Sequence, residues 1–188
     1  MKRLLLTAAA ALVAMPVLAF SPMQVAGQSA AVAKALAAAP ARNRDDATVI
    51  SWNSDYTYET LKEGTNQLVC YDRSNETRRA TFDVQCTNLG NLDRVAQNRR
   101  FRVESADRGE ENALIAAAEA AGTRAEAVFG SLWIAMRGED QASARTHTTI
   151  AMPFATTATT GFPENGRAGG AYIMGAGTAG AHLMTPGS

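Results

Sequence analysis

The chain has 188 residues, 18 basic and 18 acidic side chains, and few aromatic residues. This length is sufficient for one domain with a substantial hydrophobic core. Binding to nucleic-acid phosphates requires concentrated positive charge, and this near-neutral chain shows no basic stripe. We therefore expect no nucleic-acid partner.

Residues 1–27 have the pattern of a signal peptide. Lys2 and Arg3 precede an uncharged apolar run over 4–13, which is too short to cross a bilayer of about 30 Å as a helix. Cleavage is predicted near residue 19 or near residue 27, and an uncleaved N-terminal anchor is the alternative. No later segment has the roughly 20 apolar residues of a membrane span. We predict an exported protein, periplasmic or secreted, with no integral membrane segment after cleavage.

The next segment, 28–46, is predicted to connect this leader to the folded domain. Its first part is rich in alanine and predicts a helix that Pro40 ends. A charged linker over 42–46 follows. The folded domain is then predicted to span residues 47–188.

The two cysteines, Cys70 and Cys86, are predicted to form one structural disulfide. An even pair in an exported chain is typical of a bridge. A redox-active pair is the alternative, but such pairs are usually close in sequence, as in Cys-x-x-Cys. The bridge would pin the early strands to one another.

Alternating polar and apolar residues predict strands at both ends of the domain. The first, Val49–Trp52, forms a hairpin with Tyr56–Leu61, and a turn at 63–66 then joins that strand to a partner at 67–71. Residues 73–81 are predicted to be an exposed polar loop. Residues 82–86 follow as a short edge strand. Four later strands are expected at 132–137, 146–152, 171–174 and 181–184.

Two helices are predicted between these groups of strands. One runs from a cap at Thr87 or Asn88 to about Val103, and a second begins after Asp107 and ends near Gly122. The first carries Arg94, Arg99, Arg100 and Arg102, which we interpret as a solvated charged face. An anionic partner is the alternative for this face. The fold class is α+β: a mainly antiparallel sheet with the two central helices packed on one face.

Three motifs in order resemble a family of small exported bacterial proteins of unknown function. They are the segment 61–66 followed by Cys70, the pair 153–156 and 160–163, and the closing pair 170–174 and 177–184. The likeness covers about residues 47–186. It implies export and one compact domain, and it carries no reaction, cofactor or partner.

Two function hypotheses remain open. The first is a non-enzymatic module that binds a small molecule, glycan or protein on a platform of Trp52, Tyr56 and Tyr58; aromatic packing between strands is the alternative for these rings. The second is a small hydrolase with His182 as general base, aided by Glu63 or Asp72. A buried structural histidine is the alternative for His182. With two histidines and no short ligand spacing, we expect no metal site and no cofactor.

Overall fold

The structure is a computed structural model that describes residues 22–185. The predicted leader up to residue 21, with its cleavage point near residue 19, lies outside the described residues. The second predicted cleavage point, near residue 27, falls within the helix α1 (Pro22–Ala35). In the described part of the chain, no helix is both long enough and apolar enough to cross a membrane.

Within residues 22–185, eight strands form one mixed sheet, which confirms the α+β class. Its order is β2-β1-β3-β4-β5-β6-β8-β7, and neighbouring strands are antiparallel except for β1 and β3. The strands are β1 (Thr48–Trp52), β2 (Tyr58–Lys62), β3 (Leu68–Asp72), β4 (Phe82–Asn88), β5 (Leu132–Gly138), β6 (Arg145–Ala151), β7 (Tyr172–Met174) and β8 (His182–Met184). The strands at the two ends of the chain therefore belong to a common sheet.

The predicted hairpin between β2 and β3 is wrong. β2 pairs with β1, as predicted, but β3 lies on the other side of β1 and runs parallel to it. The connection crosses the start of β1, where the backbone N–H groups of Thr65 and Asn66 donate to the carbonyl oxygen of Asp46 at 2.8 and 3.1 Å. Gly64 lies so close to this backbone that a Cβ atom there would be 2.4 Å from the same oxygen.

The disulfide is confirmed and joins two central strands. Cys70 on β3 faces Cys86 on β4, with 4.0 Å between their Cα atoms, and both side chains are fully buried. β4 pairs with β3 on one side and with β5 on the other, so its prediction as an edge strand is wrong. The bridge therefore lies within the core.

Apolar side chains cover both faces of the sheet at β1, β3 and β4, because successive residues of a strand point to opposite faces. One face carries Val49, Val84 and the disulfide, packed against Ala35, Ala38 and Ala39. Ala35 ends α1, Ala38 ends the 3-10 turn Leu36–Ala38, and Ala39 follows that turn before a short helix α2 (Ala41–Arg44). The alanine-rich segment is thus part of the core rather than a loose connector.

The opposite face is covered by the first of the two predicted central helices. α3 (Leu92–Glu104) places Leu92 and Val95 against Ile50, Val69 and Tyr71. Asp107 is the N-cap of α4 (Arg108–Ala120), and its carboxylate accepts a hydrogen bond from the Glu110 N–H at 3.0 Å. α4 lies beside α3, linked by an Arg102–Glu111 ion pair at 3.1 Å. A cleft separates several α4 side chains from the sheet.

The remaining helix, α5 (Thr157–Thr160), precedes the closing hairpin. β7 and β8 pair with each other, and β8 also pairs with β6. Ala155, Ile173 and Ala181 form a small separate core there. This arrangement places His182 at the margin of the cleft.

Candidate ligand-binding sites

The three predicted platform residues lie together at the β1–β2 end of the sheet. The Trp52 ring meets Tyr58 edge-on at 5.5 Å and Tyr71 edge-on at 5.9 Å between centroids. Trp52 and Tyr56 are half-buried, whereas Tyr58 is 46% exposed. Tyr56 adopts a left-handed backbone conformation, with φ at 68°, in the turn between the strands. Trp52 thus packs against Tyr58 and Tyr71, and Trp52 and Tyr56, but not Tyr58, line a cavity.

That cavity exists because β1 and β3 separate. Their parallel pairing includes only Thr48 with Val69 and Val49 with Cys70. At the same level the pairing of β1 with β2 shifts register between Val49 and Ile50, which leaves Leu61 as the extra residue of a bulge on β2, and a bulge locally disrupts the pairing and increases the twist. Beyond it, β1 and the end of β3 enclose a cavity of about 440 Å³, which we call the splayed-strand pocket.

Both strands, α1 and α3 contribute walls to the splayed-strand pocket. Ile50 and Trp52 lie on the β1 side, and Asp72 and Glu76 lie on the side of β3 and its following loop. Val103 of α3 and Ala31 of α1 add apolar surface. The cavity therefore combines an aromatic ring, aliphatic surface and a few polar groups, which is typical of sites for small ligands.

The charged groups of this pocket are already paired within the protein. Lys34 contacts the Asp72 carboxylate at 2.6 Å. Glu76 accepts hydrogen bonds from Arg99 and from Arg102, the latter at 2.7 Å. The Arg99 guanidinium also lies 5.1 Å from the Trp52 ring centroid. In contrast, the Trp52 Nε1 atom is buried and has no hydrogen-bond acceptor among the described residues.

The residues of the hydrolase hypothesis are not brought together. His182 lies on β8, and its Nδ1 is 2.8 Å from the Gly180 carbonyl oxygen. Asp72 lies on β3, and β4, β5 and β6 stand between the two strands. At about 4.8 Å for each strand spacing, the two strands are roughly 19 Å apart. Glu63 follows the edge strand β2, which is farther away still.

His182 instead borders a second cavity of about 650 Å³ between α4 and the sheet, which we call the arginine cleft. His147 is half-buried and also lines this cleft. Trp133 of β5 and Ile115 of α4 provide apolar walls. Its most distinctive lining groups are arginines, among them Arg94 and Arg124.

The predicted solvated arginine face of α3 is wrong for most of its members. Arg94 and Arg102 are only 7% and 9% exposed, and Arg99 is half-buried; only Arg100 is exposed. A signal for this was present in the sequence. Arg99 and Arg102 continue the helical spacing of the core residues Leu92 and Val95, so all four share one face. Arginine also suits buried ion pairs better than lysine.

The loop 73–81 was predicted to be exposed, but several of its side chains point inward. The Arg73 guanidinium donates to Asp83 at 2.6 Å and to Gln85 at 2.8 Å, and both acceptors are buried. Arg78 donates to the carbonyl oxygens of Arg102 and Ser105 at 2.9 and 2.8 Å, near the end of α3. The loop thus fastens α3 to the sheet.

Comparison with protein-family models, curated proteins and solved structures gives no match to this chain. The family resemblance of its three motifs therefore stays a prediction. Among residues 22–185, no group of three or more histidine, cysteine, aspartate or glutamate side chains is placed to hold a metal ion.

Proposed function

We propose that this protein is a non-enzymatic binding module that acts outside the cytoplasm and holds a small uncharged ligand in the splayed-strand pocket. One observation carries the proposal: the buried Trp52 N–H has no acceptor among the described residues and belongs to a residue that lines this cavity. A buried donor without a partner costs about 1–3 kcal/mol. Because Nε1 is buried, an acceptor reaches it only when the indole turns toward the cavity, and a ligand that forms this hydrogen bond recovers the free energy.

The electrostatics favour an uncharged ligand. The pocket is lined by two carboxylates, Asp72 and Glu76, and by two guanidinium groups, Arg99 and Arg102. Each carboxylate has a cationic partner inside the protein. A charged ligand would have to compete with these pairs, whereas a sugar ring or a peptide group can use the indole face and a single hydrogen bond.

The disulfide supports action outside the cytoplasm. Buried disulfides persist in oxidising compartments and are rare in cytosolic proteins. The basic and apolar start of the chain favours the same location. Export of the protein, and its residence in the periplasm or the medium, are part of this proposal.

The two tryptophans make a direct test possible. Phe substitutions of Trp52 and Trp133 assign the two indole N–H signals in a ¹H–¹⁵N spectrum. Two uncharged probes, triacetylchitotriose and acetyl-trialanine amide, are titrated to about 10 mM, roughly ten times the dissociation constant of a weak ligand. We expect at least one probe to shift the Trp52 signal saturably and to leave the Trp133 signal in place.

Trp52→Phe keeps an aromatic ring but removes the N–H donor together with the pyrrole part of the indole, and Trp133→Phe makes the same change at the other tryptophan. Loss of one hydrogen bond should weaken binding of the active probe by about 2-fold to 12-fold. Trp133→Phe is the matched control and should bind as the wild type does. The proposal fails if neither probe moves the Trp52 signal, or if Trp52→Phe binds the active probe unchanged.

A further inference from the structure

The arginine cleft carries an uncompensated positive charge. Five arginines and two glutamates line it, so three positive charges remain even with both histidines neutral. Glu111 is already engaged by Arg78 and Arg102 at 3.1 Å each. Glu119 makes no ion pair with any described residue within 4.0 Å. This local surplus occurs in a chain whose acidic and basic residues are equal in number.

Two of these arginines are held in place by neutral groups. Arg94 donates to the carbonyl oxygens of Ala125 and Ala179 at 2.6 and 3.1 Å. Arg124 donates to the side-chain oxygens of Gln97 and Asn98. Its Nε atom is buried and has no acceptor among the described residues. Each guanidinium has five N–H donors, so both keep donors that these bonds do not use.

The lowered pKa of Arg124 is consistent with a guanidinium that has no ion-pair partner. Burial and, to a smaller extent, the nearby positive charge of Arg94 lower its pKa to about 10, while Glu119 opposes the shift. A buried charge held only by neutral dipoles lacks the partner that normally offsets its lost hydration. An anion in the cleft would supply that partner.

The apolar walls of the arginine cleft indicate that the anionic group belongs to a larger organic molecule. Trp133, Ile115 and Ala135 present apolar surface in the same cavity. An inorganic ion would leave this surface exposed to water. An anion with an aromatic or aliphatic part would bury it, at about 25 cal/mol for each Å².

We propose that the arginine cleft binds an organic oxyanion, a phosphate ester or a carboxylate, with its anionic group at Arg94 and Arg124 and its apolar part against Trp133. Guanidinium groups bind both kinds of oxyanion through paired N–H donors. With three surplus charges, a dianion binds more tightly than a monoanion. This site differs from the splayed-strand pocket, although Arg102 lines both: the cleft favours an anionic ligand, whereas the pocket favours an uncharged one.

The test uses isothermal titration of the purified protein with phenyl phosphate, benzoate and benzyl alcohol, which share a ring and differ in charge. We expect affinity to fall in that order, with no measurable binding of the alcohol. Arg124→Gln should weaken phenyl phosphate binding about tenfold or more, because one charge-assisted contact is lost. Arg42→Gln removes the same charge from an exposed residue outside both cavities and should bind normally.

If Arg124→Gln does not fold, as judged by circular dichroism, Arg137→Gln replaces it, because Arg137 lines the cleft and is exposed. The Trp133 indole signal should move with phenyl phosphate while the Trp52 signal stays in place, which separates this result from that of the proposed function. If inorganic phosphate binds as tightly as phenyl phosphate, the cleft takes an adventitious ion only, and the proposal is overturned. Tight binding of benzyl alcohol, or unchanged binding in the cleft variants, would also overturn it.

Discussion

Replacement of Glu76 by glutamine tests whether loop 73–81 is a structural element. The Glu76 carboxylate is the common partner of three arginines: Arg102 at 2.7 Å, Arg79 at 3.8 Å, and Arg99. Its side chain is only 10% exposed. Glutamine has the same shape, so the substitution removes charge while adding little strain.

The loss of unfolding free energy depends on the arginine charges that stay without a carboxylate partner after the substitution. Removal of one partner from a buried ion pair costs about 3–5 kcal/mol, since the other charge stays buried. The arginine partners retain 11–16% exposure, so water relieves part of this penalty. We therefore expect the lower value, about 3 kcal/mol of unfolding free energy. In urea denaturation at neutral pH, the midpoint should fall while the slope m stays unchanged.

Glu104→Gln provides the matched control. Glu104 is on α3, and its pair with Arg100 is 3.8 Å long, with both side chains about half exposed. Such surface pairs contribute roughly 0–1 kcal/mol, so this variant should stay within about 0.5 kcal/mol of the wild type. If the Glu76 and Glu104 variants unfold at the same urea concentration, loop 73–81 does not anchor α3 and our reasoning is wrong.

Three further changes probe the fold. Cys70→Ala/Cys86→Ala should lower the unfolding free energy by about 3 kcal/mol, because the bridge closes a loop with a sequence separation of 16; equal thermal stability of the oxidised protein and this variant would contradict it. Gly64→Ala should cost about 2 kcal/mol or more in urea denaturation, since its Cβ would lie 2.4 Å from Asp46 O and Thr48 N; an unchanged midpoint would show that the crossing is loose. Burial by itself raises the pKa of Asp72, but hydrogen bonds from Lys34 and Ser74 outweigh it and lower the pKa below its ordinary value. The stabilisation is therefore present above the unfolded pKa near 4 and is lost as pH falls through the folded pKa, so Asp72→Asn should cost up to about 1 kcal/mol at pH 7 and progressively less as the pH falls through the folded pKa. A penalty in Asp72→Asn that does not change with pH would contradict this account.

The positions of the strands were predictable because side-chain alternation is a local property of a sequence. The hairpin of β5 and β6 and the pair β7 and β8 were found in this way. The neighbours of β3 were not predictable. The connection from β2 to β3 depends on hydrogen bonds between residues 65–66 and the Asp46 carbonyl, about 20 positions earlier. No local pattern distinguishes a hairpin turn from a crossing.

The arginines were misassigned for a similar reason. Charged residues on a helix are usually solvated, and that rule gave the wrong result for Arg99 and Arg102. Their partner, Glu76, comes from a loop more than 20 residues earlier in the chain. The aromatic cluster was predictable because Trp52, Tyr56 and Tyr58 are near neighbours in sequence. The gap between β1 and β3, which opens the splayed-strand pocket next to this cluster, was not predictable.

The inward arginines of this domain belong to two groups, and ligand linkage can separate them. Arg99 and Arg102 have a carboxylate partner and fasten the fold, whereas Arg94 and Arg124 have only neutral partners. Phenyl phosphate at 100 times its dissociation constant should raise the unfolding free energy of the wild type by about 2.7 kcal/mol. The less stable Glu76→Gln variant should gain at least as much, because Glu76 itself does not line the cleft and its loss removes a negative partner of Arg102, which does. At the same phenyl phosphate concentration, Arg124→Gln should gain about 1.4 kcal/mol or less, whatever its own stability, because its affinity is about tenfold weaker or more. Equal gains in all three proteins would mean that phenyl phosphate binds outside the cleft, and a lost gain in Glu76→Gln would mean that both groups of arginines form one site.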